Sequence, residues 1–369
     1  MKLFLCGHSL KVKSQPSKLV MRVRFPLPAD SHYNSSRKSG LRESPAPKNL
    51  CRRQTSCGTF SSMNSMQRLF FLLEYLFLRG LAFLINLLNV HQARRLADCI
   101  GFCVYYLLKG RRETALENLR WAYGAEKTEK ELEAIALGSM QNLIKVVFEF
   151  IHIPKMLKHK DLQWEVQGSE RVRKALEGKR GLIVTVSHFG NWELMGLAAA
   201  REGFPLHAVA RPIKNSYVYA YIKGLRERAG FHTVDKNGAV RSAIKLLKQN
   251  QMIAILIDQH ERQGSVWVDF FGRKASTTSL PALLALKYGV PILPTYFYRG
   301  TPDFFVHFFG EPFPLIRTGD EQADLVANTQ QYVRHIESEI RKRPEDWLWM
   351  HRRWRKMPAV QPELKPEEA

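Results

Sequence analysis

Five cysteines in 369 residues, at Cys6, Cys51, Cys57, Cys99 and Cys103, are too few and too irregularly spaced for a disulfide framework or a zinc site. Cys99 and Cys103 fall in an apolar run, where they read as small core or lipid-facing residues, and this usage fits the cytoplasmic side of a membrane. Acidic residues are scarce as well, 34 against 56 Lys and Arg, for a net charge of +22. Such an excess calls for an acidic partner: nucleic acid, anionic lipid or an acidic protein. A nucleic-acid partner is disfavoured, because there is no helix-turn-helix signal, zinc-finger spacing or RNA-binding aromatic motif. Residues 1–62 also hold 12 of the basic residues against 2 acidic ones, leaving +12 for the rest of the chain. They contain no apolar stretch of roughly 7–15 residues that could serve as a signal peptide. A G-x-S-x-G elbow, a candidate nucleophilic cysteine and an internal repeat are missing too, so neither an acyl-enzyme nor a repeat architecture is expected.

Hydrophobic residues make up 45% of the chain, enough for a sizeable core. Residues 1–62, rich in Ser, Pro, Lys and Arg, read as disordered or as a mis-assigned start. The string Arg22-Val23-Arg24-Phe25-Pro26 can be encoded by the T-loop of a tRNA gene, and Met63 or Met66 stands just before the first apolar segment. Residues 66–90 read as a membrane-anchoring helix: Leu69 to Leu88 has about the length of a bilayer crossing, although Glu74 and Arg79 make a central span costly. A helix lying in the interface, or packed on the protein, is the alternative. Basic residues follow this segment (Arg94, Arg95, Lys109, Arg111 and Arg112), which puts the remainder on the cytoplasmic face.

Residues 91–357 read as one α/β domain, followed by a polar tail over 358–369. Thr128 and Glu131 form a capping box for a helix running to about Ile151. Short unbroken apolar runs at 182–186, 206–210, 252–257 and 292–297 predict strands buried on both faces. Helical stretches near 191–202, 215–229, 238–249 and 279–288 alternate with them, which predicts a mainly parallel central sheet flanked by helices.

Active sites of such sheets lie at the carboxyl ends of strands. The segment Ser187-His188-Phe189-Gly190-Asn191-Trp192-Glu193 begins where the 182–186 strand ends and the next helix starts. His188 is the candidate general base, and Glu193, in the first helical turn, is its expected orienting carboxylate. Gly190 permits a tight turn and Asn191 can cap the helix. Together with nearby backbone amides they are the expected oxyanion or substrate donors. Arg211, just past a strand, is a candidate ligand for a phosphate or for the tetrahedral intermediate, with a solvated surface arginine as the plainer reading. Asp258 ends another apolar strand at the same sheet edge, where it either positions substrate or caps a loop. Residues 270–277 read as a loop near an acyl chain and a phosphate, or as an ordinary turn. Trp347, Trp349 and Trp354, interleaved with His351, Arg352, Arg353 and Arg355, suit a headgroup interface or an acidic carrier protein; alternatively the tryptophans cover the sheet.

The string HFGNWE at a strand end resembles the bacterial lipid A biosynthesis acyltransferases, within the wider glycerolipid acyltransferase superfamily. Further blocks carry the likeness: Arg111-Arg112 with Asn118-Leu119, Ala210-Arg211-Pro212 with Lys214-Asn215, Asp258-Gln259, Val266 to Gly272 leading to Ala275-Ser276-Thr277, and PEDWLWMHRRWR from Pro344 to Arg355. The likeness spans roughly residues 66–357. It departs from the family where a second acid often stands two residues after the first: here that position is His260.

The resemblance implies acyl transfer from acyl carrier protein to a hydroxyl of a phosphorylated glucosamine-based lipid A precursor, at the inner membrane of a Gram-negative cell. His188 would serve as base and Glu193 would steady the imidazolium, with neither metal nor redox cofactor. Rival acceptors are mannosylated phosphoinositol and lysophosphatidate. A catalytically silent scaffold is the other rival, and the intact His188 and Glu193 speak against it.

Overall fold

The computed structural model describes residues 64–159, 163–235, 238–301 and 304–354. The expected extension over 1–62 and the tail over 358–369 lie outside them. The helices α1 (Ser65–Leu87), α2 (Val90–Leu107), α3 (Lys109–Tyr123), α4 (Glu129–Ile151) and α5 (Ile153–His159) come first. Alternating elements follow: β1 (Gln163–Gln167), α6 (Ser169–Glu177), β2 (Leu182–Val186), α7 (Trp192–Arg201), β3 (Leu206–Ala210), α8 (Ser216–Arg228), β4 (His232–Asp235), α9 (Ala239–Leu247) and β5 (Met252–Leu256). The chain continues through β6 (Ser265–Phe270), β7 (Arg273–Thr278), α10 (Leu280–Tyr288), β8 (Ile292–Thr301), β9 (Phe304–Phe309) and α11 (Glu321–Lys342).

The main sheet has seven strands in the order β1-β9-β8-β2-β5-β3-β4. Every pairing is parallel except β8 with β9. The two central strands alternate between the layers that cover them. Leu182, Val184 and Val186 of β2 pack with Leu194, Leu197 and Ala198 of α7, whereas Ile183 faces the opposite layer with Ile253 and Ile255. Both faces are therefore dry, and β2 is an unbroken apolar run for that reason. The capping box ahead of α4 is formed: Thr128 N–H donates to Glu131 Oε2 at 2.8 Å, and Glu131 N–H to Thr128 Oγ1 at 3.4 Å.

Two expectations change. Residues 270–277 are no open loop: β6 and β7 form an antiparallel hairpin closed by Phe271 (φ 51°) and Gly272 (φ 70°), both in the left-handed region that such a tight turn requires. Phe271 tolerates that backbone while buried, its N–H donating to Glu337 Oε2 at 2.7 Å. The aromatic and basic segment after α11 is core rather than surface: Trp347, Trp349, Arg353 and Trp354 are all buried. They sit under the hairpin, with Phe270 stacked on Trp354 at 5.6 Å between ring centroids.

α1 packs along α8 and α4 through Leu78, Ala82 and Ile85. Its two interior charges are both engaged by the neighbouring side chains, Glu74 half-buried and Arg79 exposed on the flank. Glu74 accepts a hydrogen bond from Asn215 Nδ2 at 2.9 Å, and the Arg79 guanidinium lies over the Tyr221 ring at 5.1 Å and donates to Tyr75 Oη. The opposite face, Leu69, Phe70, Leu73, Leu76, Phe77, Phe83, Leu84 and Leu87, is exposed and carries no charge. Phe102, Tyr106 and Leu107 of α2 are exposed as well. By length and composition α1 and α4 could each cross a membrane, but α4 is half buried in the core.

Candidate active site

β2 and β5 are neighbours in parallel register, Val186 opposite Leu256. Two residues beyond each strand stand His188 and Asp258, so the register that aligns the strands also aligns the side chains. Asp258 Oδ1 lies 2.9 Å from His188 Nδ1. Asp258 Oδ2 accepts the His188 backbone N–H at 2.7 Å and the Trp347 indole Nε1–H at 2.8 Å. Burial pushes the Asp258 carboxyl up, but the His188 charge and these hydrogen bonds outweigh it and carry the group down to about 2. An ionised carboxylate fixes the proton on Nδ1 and leaves the lone pair on Nε2. Nε2 meets Gln259 Nε2 at 3.2 Å, and the His188 side chain is 16% exposed. Trp192 stands edge-on to the imidazole, 5.1 Å between centroids. The result is an imidazole of fixed orientation whose Nε2 lone pair is met by the Gln259 side-chain amide.

The orienting carboxylate is thus Asp258, and the expected partner Glu193 is engaged elsewhere. Both Glu193 oxygens accept from Arg226 of α8, at 2.6 and 3.0 Å, so the residue ties α7 to α8. Asp258, expected at the substrate, has no oxygen turned to it: the carboxylate is buried and its acceptors are taken by His188 and Trp347.

Gly190 and Asn191 are structural in the same sense. Gly190 has φ 60°, and a Cβ there would come within 2.2 Å of the Phe297 carbonyl oxygen, so the turn requires glycine. Its N–H donates to Asp346 O at 3.0 Å, and the Asn191 N–H to Phe297 O at 2.6 Å, so neither amide is left for an oxyanion. The Asn191 side chain caps α7 through Leu194 N–H at 2.9 Å and donates to Glu149 Oε2 at 2.6 Å. Glu149 is in turn held by Arg94 and Arg299, a buried ion cluster joining α2, α4 and β8 beneath the site.

Arg211 is 63% exposed at the carboxyl end of β3, 3.8 Å from Glu261, and with exposed Lys214 and Arg262 it makes a basic rim on the sheet edge that carries His188. Arg353 braces the loop after β5 from below, donating to Gln259 O at 3.2 Å and Ser276 O at 2.6 Å; burial lowers its guanidinium to about 10. Among the described residues no group of three or more His, Cys, Asp or Glu side chains converges as a metal set.

Two members of this arrangement escaped the sequence reading. Gln259 entered only as part of a block, and Trp347 only as a surface or covering aromatic. For Asp258 the signal was available: 182–186 and 252–256 are strands of equal length, with His188 and Asp258 at the same offset from their ends.

Residues 63–356 match the family described as Bacterial lipid A biosynthesis acyltransferase. The chain is similar to the Lipid A biosynthesis palmitoleoyltransferase of Escherichia coli strain K12, 26% identical over 280 residues, covering 72% of this chain and 85% of that one. It is similar to the Phosphatidylinositol mannoside acyltransferase of Mycobacterium tuberculosis strain H37Rv, 24% identical, covering 68% of this chain and 79% of that one. The corresponding enzyme of Mycolicibacterium smegmatis is 24% identical over 52% of this chain, which spans 62% of the length of that relative. Among solved structures, the 1-acyl-sn-glycerophosphate acyltransferase of Thermotoga maritima aligns with a TM-score of 0.32 at 17% identity, covering 68% of this chain and 98% of that one. With its family blocks gathered around His188 and the match running through nearly all the described residues, the chain belongs to the bacterial lipid A biosynthesis acyltransferase family.

Proposed function

We propose that this chain is an O-acyltransferase that moves a fatty acyl group from the thioester of acyl carrier protein to a hydroxyl of a phosphorylated glucosamine-based lipid, at the cytoplasmic face of the inner membrane. The observation that carries the reading is the partly exposed imidazole of His188, its Nδ1 held by Asp258 and its Nε2 met by the Gln259 amide, which an acceptor hydroxyl would displace. Nε2 takes the acceptor hydroxyl proton as that oxygen attacks the thioester carbonyl carbon. The tetrahedral intermediate collapses with cleavage of the C–S bond, and the imidazolium returns the proton to the departing sulfur. Asp258 steadies the imidazolium throughout. These steps call on protein side chains and the two substrates, with no cofactor.

The basic rim of Arg211, Lys214 and Arg262 supports an acceptor bearing phosphate and a donor protein that is acidic. The uncharged apolar face of α1 supports a membrane-bound catalyst, because acceptor and product both reside in lipid. The similarity to mannoside acyltransferases keeps a mannosylated phosphoinositol as the second acceptor to test.

The experiment incubates wild type and His188→Ala with carrier protein bearing acyl chains of several lengths, in parallel with a tetra-acylated lipid A precursor and with a phosphatidylinositol mannoside. Products are weighed by mass spectrometry. The expected result is one added acyl mass on the lipid A precursor, with wild type only. Acylation confined to the mannoside changes the acceptor and keeps the mechanism; equal activity in His188→Ala removes the base.

A further inference from the structure

We infer that Trp347 is a positioning residue for acyl transfer, fixing the His188 imidazole by pinning the far oxygen of Asp258; this rests on the function proposed above. A hydrogen-bonded carboxylate can still rotate about its Cβ–Cγ bond unless both oxygens are held. Here Oδ2 is held from two directions, by the His188 backbone N–H and the Trp347 indole N–H, at 2.7 and 2.8 Å. Oδ1 is then left to the imidazole alone.

The indole has little freedom of its own. Trp347 is 1% exposed, with its ring centroid 4.6 Å from Trp349 and 5.5 Å from Phe270. Its backbone is paired with the catalytic turn itself: Phe189 and Trp347 form an isolated antiparallel bridge. Leu348 N–H donates to His188 O at 3.1 Å, and Gly190 N–H donates to Asp346 O at 3.0 Å. Ser139 Oγ donates to the Trp347 carbonyl, and Asn142 Nδ2 donates to Asp346 O at 3.0 Å, so α4 holds the same segment from behind. One short backbone bridge therefore sets the base and the donor that orients its partner in a single frame.

The test is a double-mutant cycle of wild type, Trp347→Phe, Asp258→Asn and the double variant, with kcat and KM measured using acyl carrier protein and the lipid acceptor. Phenylalanine keeps an aromatic ring and removes the N–H. The expected result is a kcat lower by about tenfold to a hundredfold in Trp347→Phe, with KM for the carrier within about twofold. In the Asp258→Asn background the same change costs less than about twofold. An equal loss in both backgrounds makes Trp347 a packing residue and overturns the inference.

A substrate-free arm separates this outcome from failure of the proposed function. The Nδ1 proton of His188 is followed by proton NMR in wild type and in protein carrying benzothienylalanine at position 347, which keeps the two-ring shape without the N–H. Loss or broadening of that resonance is expected. An unchanged resonance overturns the inference whatever the enzyme acylates.

Discussion

Asn191 Nδ2 donates to Glu149 Oε2 at 2.6 Å, tying the residue that caps α7 to a carboxylate buried in α4. Glu149 also receives Arg94 and Arg299, so two cations and the amide next to the His188 turn share one buried negative charge.

Glu149→Ala leaves both guanidinium groups buried without their counter-charge. The expected cost is about 3–5 kcal/mol, a large share of a domain's stability. Denaturant unfolding of the purified variant in detergent measures it, and a loss below about 1 kcal/mol would show that water reaches the cluster.

Asp258 and Glu193 separate the two acidic residues near His188 by function. Asp258→Asn should lower kcat by roughly 10²–10⁴ while leaving the protein folded, because the amide no longer fixes the imidazole proton. Glu193→Gln should cost about 1–3 kcal/mol of stability through its Arg226 pair and change kcat by less than about tenfold. The reverse ranking would return Glu193 to the imidazole.

Acid should unfold the protein earlier than its carboxylates alone require. Burial lowers His207 from 6.5 to about 4, and His307 from 6.5 to about 3. Both are neutral in the folded chain and take up protons more readily once unfolded, so their contribution is complete above pH 6.5 and is lost as pH falls toward 4 and 3. Asp258 adds a later loss, between its ordinary 3.8 and about 2. Unfolding midpoints measured from pH 7 downward should decline already below about pH 6.5, and His307→Gln should flatten that decline.

The outward face of α1 should hold the protein on lipid. Phe70, Phe77 and Phe83 are 57%, 72% and 66% exposed. Changing the three to Ser removes about 1.5–3 kcal/mol of burial each wherever that face meets lipid, while leaving Leu78, Ala82 and Ile85 packed. Flotation with anionic vesicles checks it: wild type rises with the vesicles and the triple variant stays behind. Co-flotation of both would assign binding to another surface.

Much of this was legible in the sequence because β2, β3, β5 and β8 are buried on both faces and so write themselves as unbroken apolar runs. His188 was legible because a strand end, a glycine and a capping asparagine coincide there. The edge strand β1, Gln163–Gln167, is a short five-residue alternation of polar and apolar residues, and neither it nor β9 with its FFVHFF run is among the expected strands. The partner of His188 was harder to read, because Glu193 stands five residues away in sequence and Asp258 seventy. Which one reaches the ring depends on strand order, and β5 sits beside β2 only because the chain visits β3 and β4 first. Trp347 was hardest: its indole meets Asp258 through an isolated bridge between residues 158 positions apart, and no local periodicity records that.

The bridge between Phe189 and Trp347 also bears on when the enzyme becomes competent. A growing chain exposes α1, then His188, then Asp258 as translation proceeds. Trp347 emerges well after them, so the imidazole of a ribosome-bound chain stays unaligned until that segment is made. The segment around Trp347 works as a latch, and truncation ahead of it would yield a protein whose His188 and Asp258 are present but unaligned.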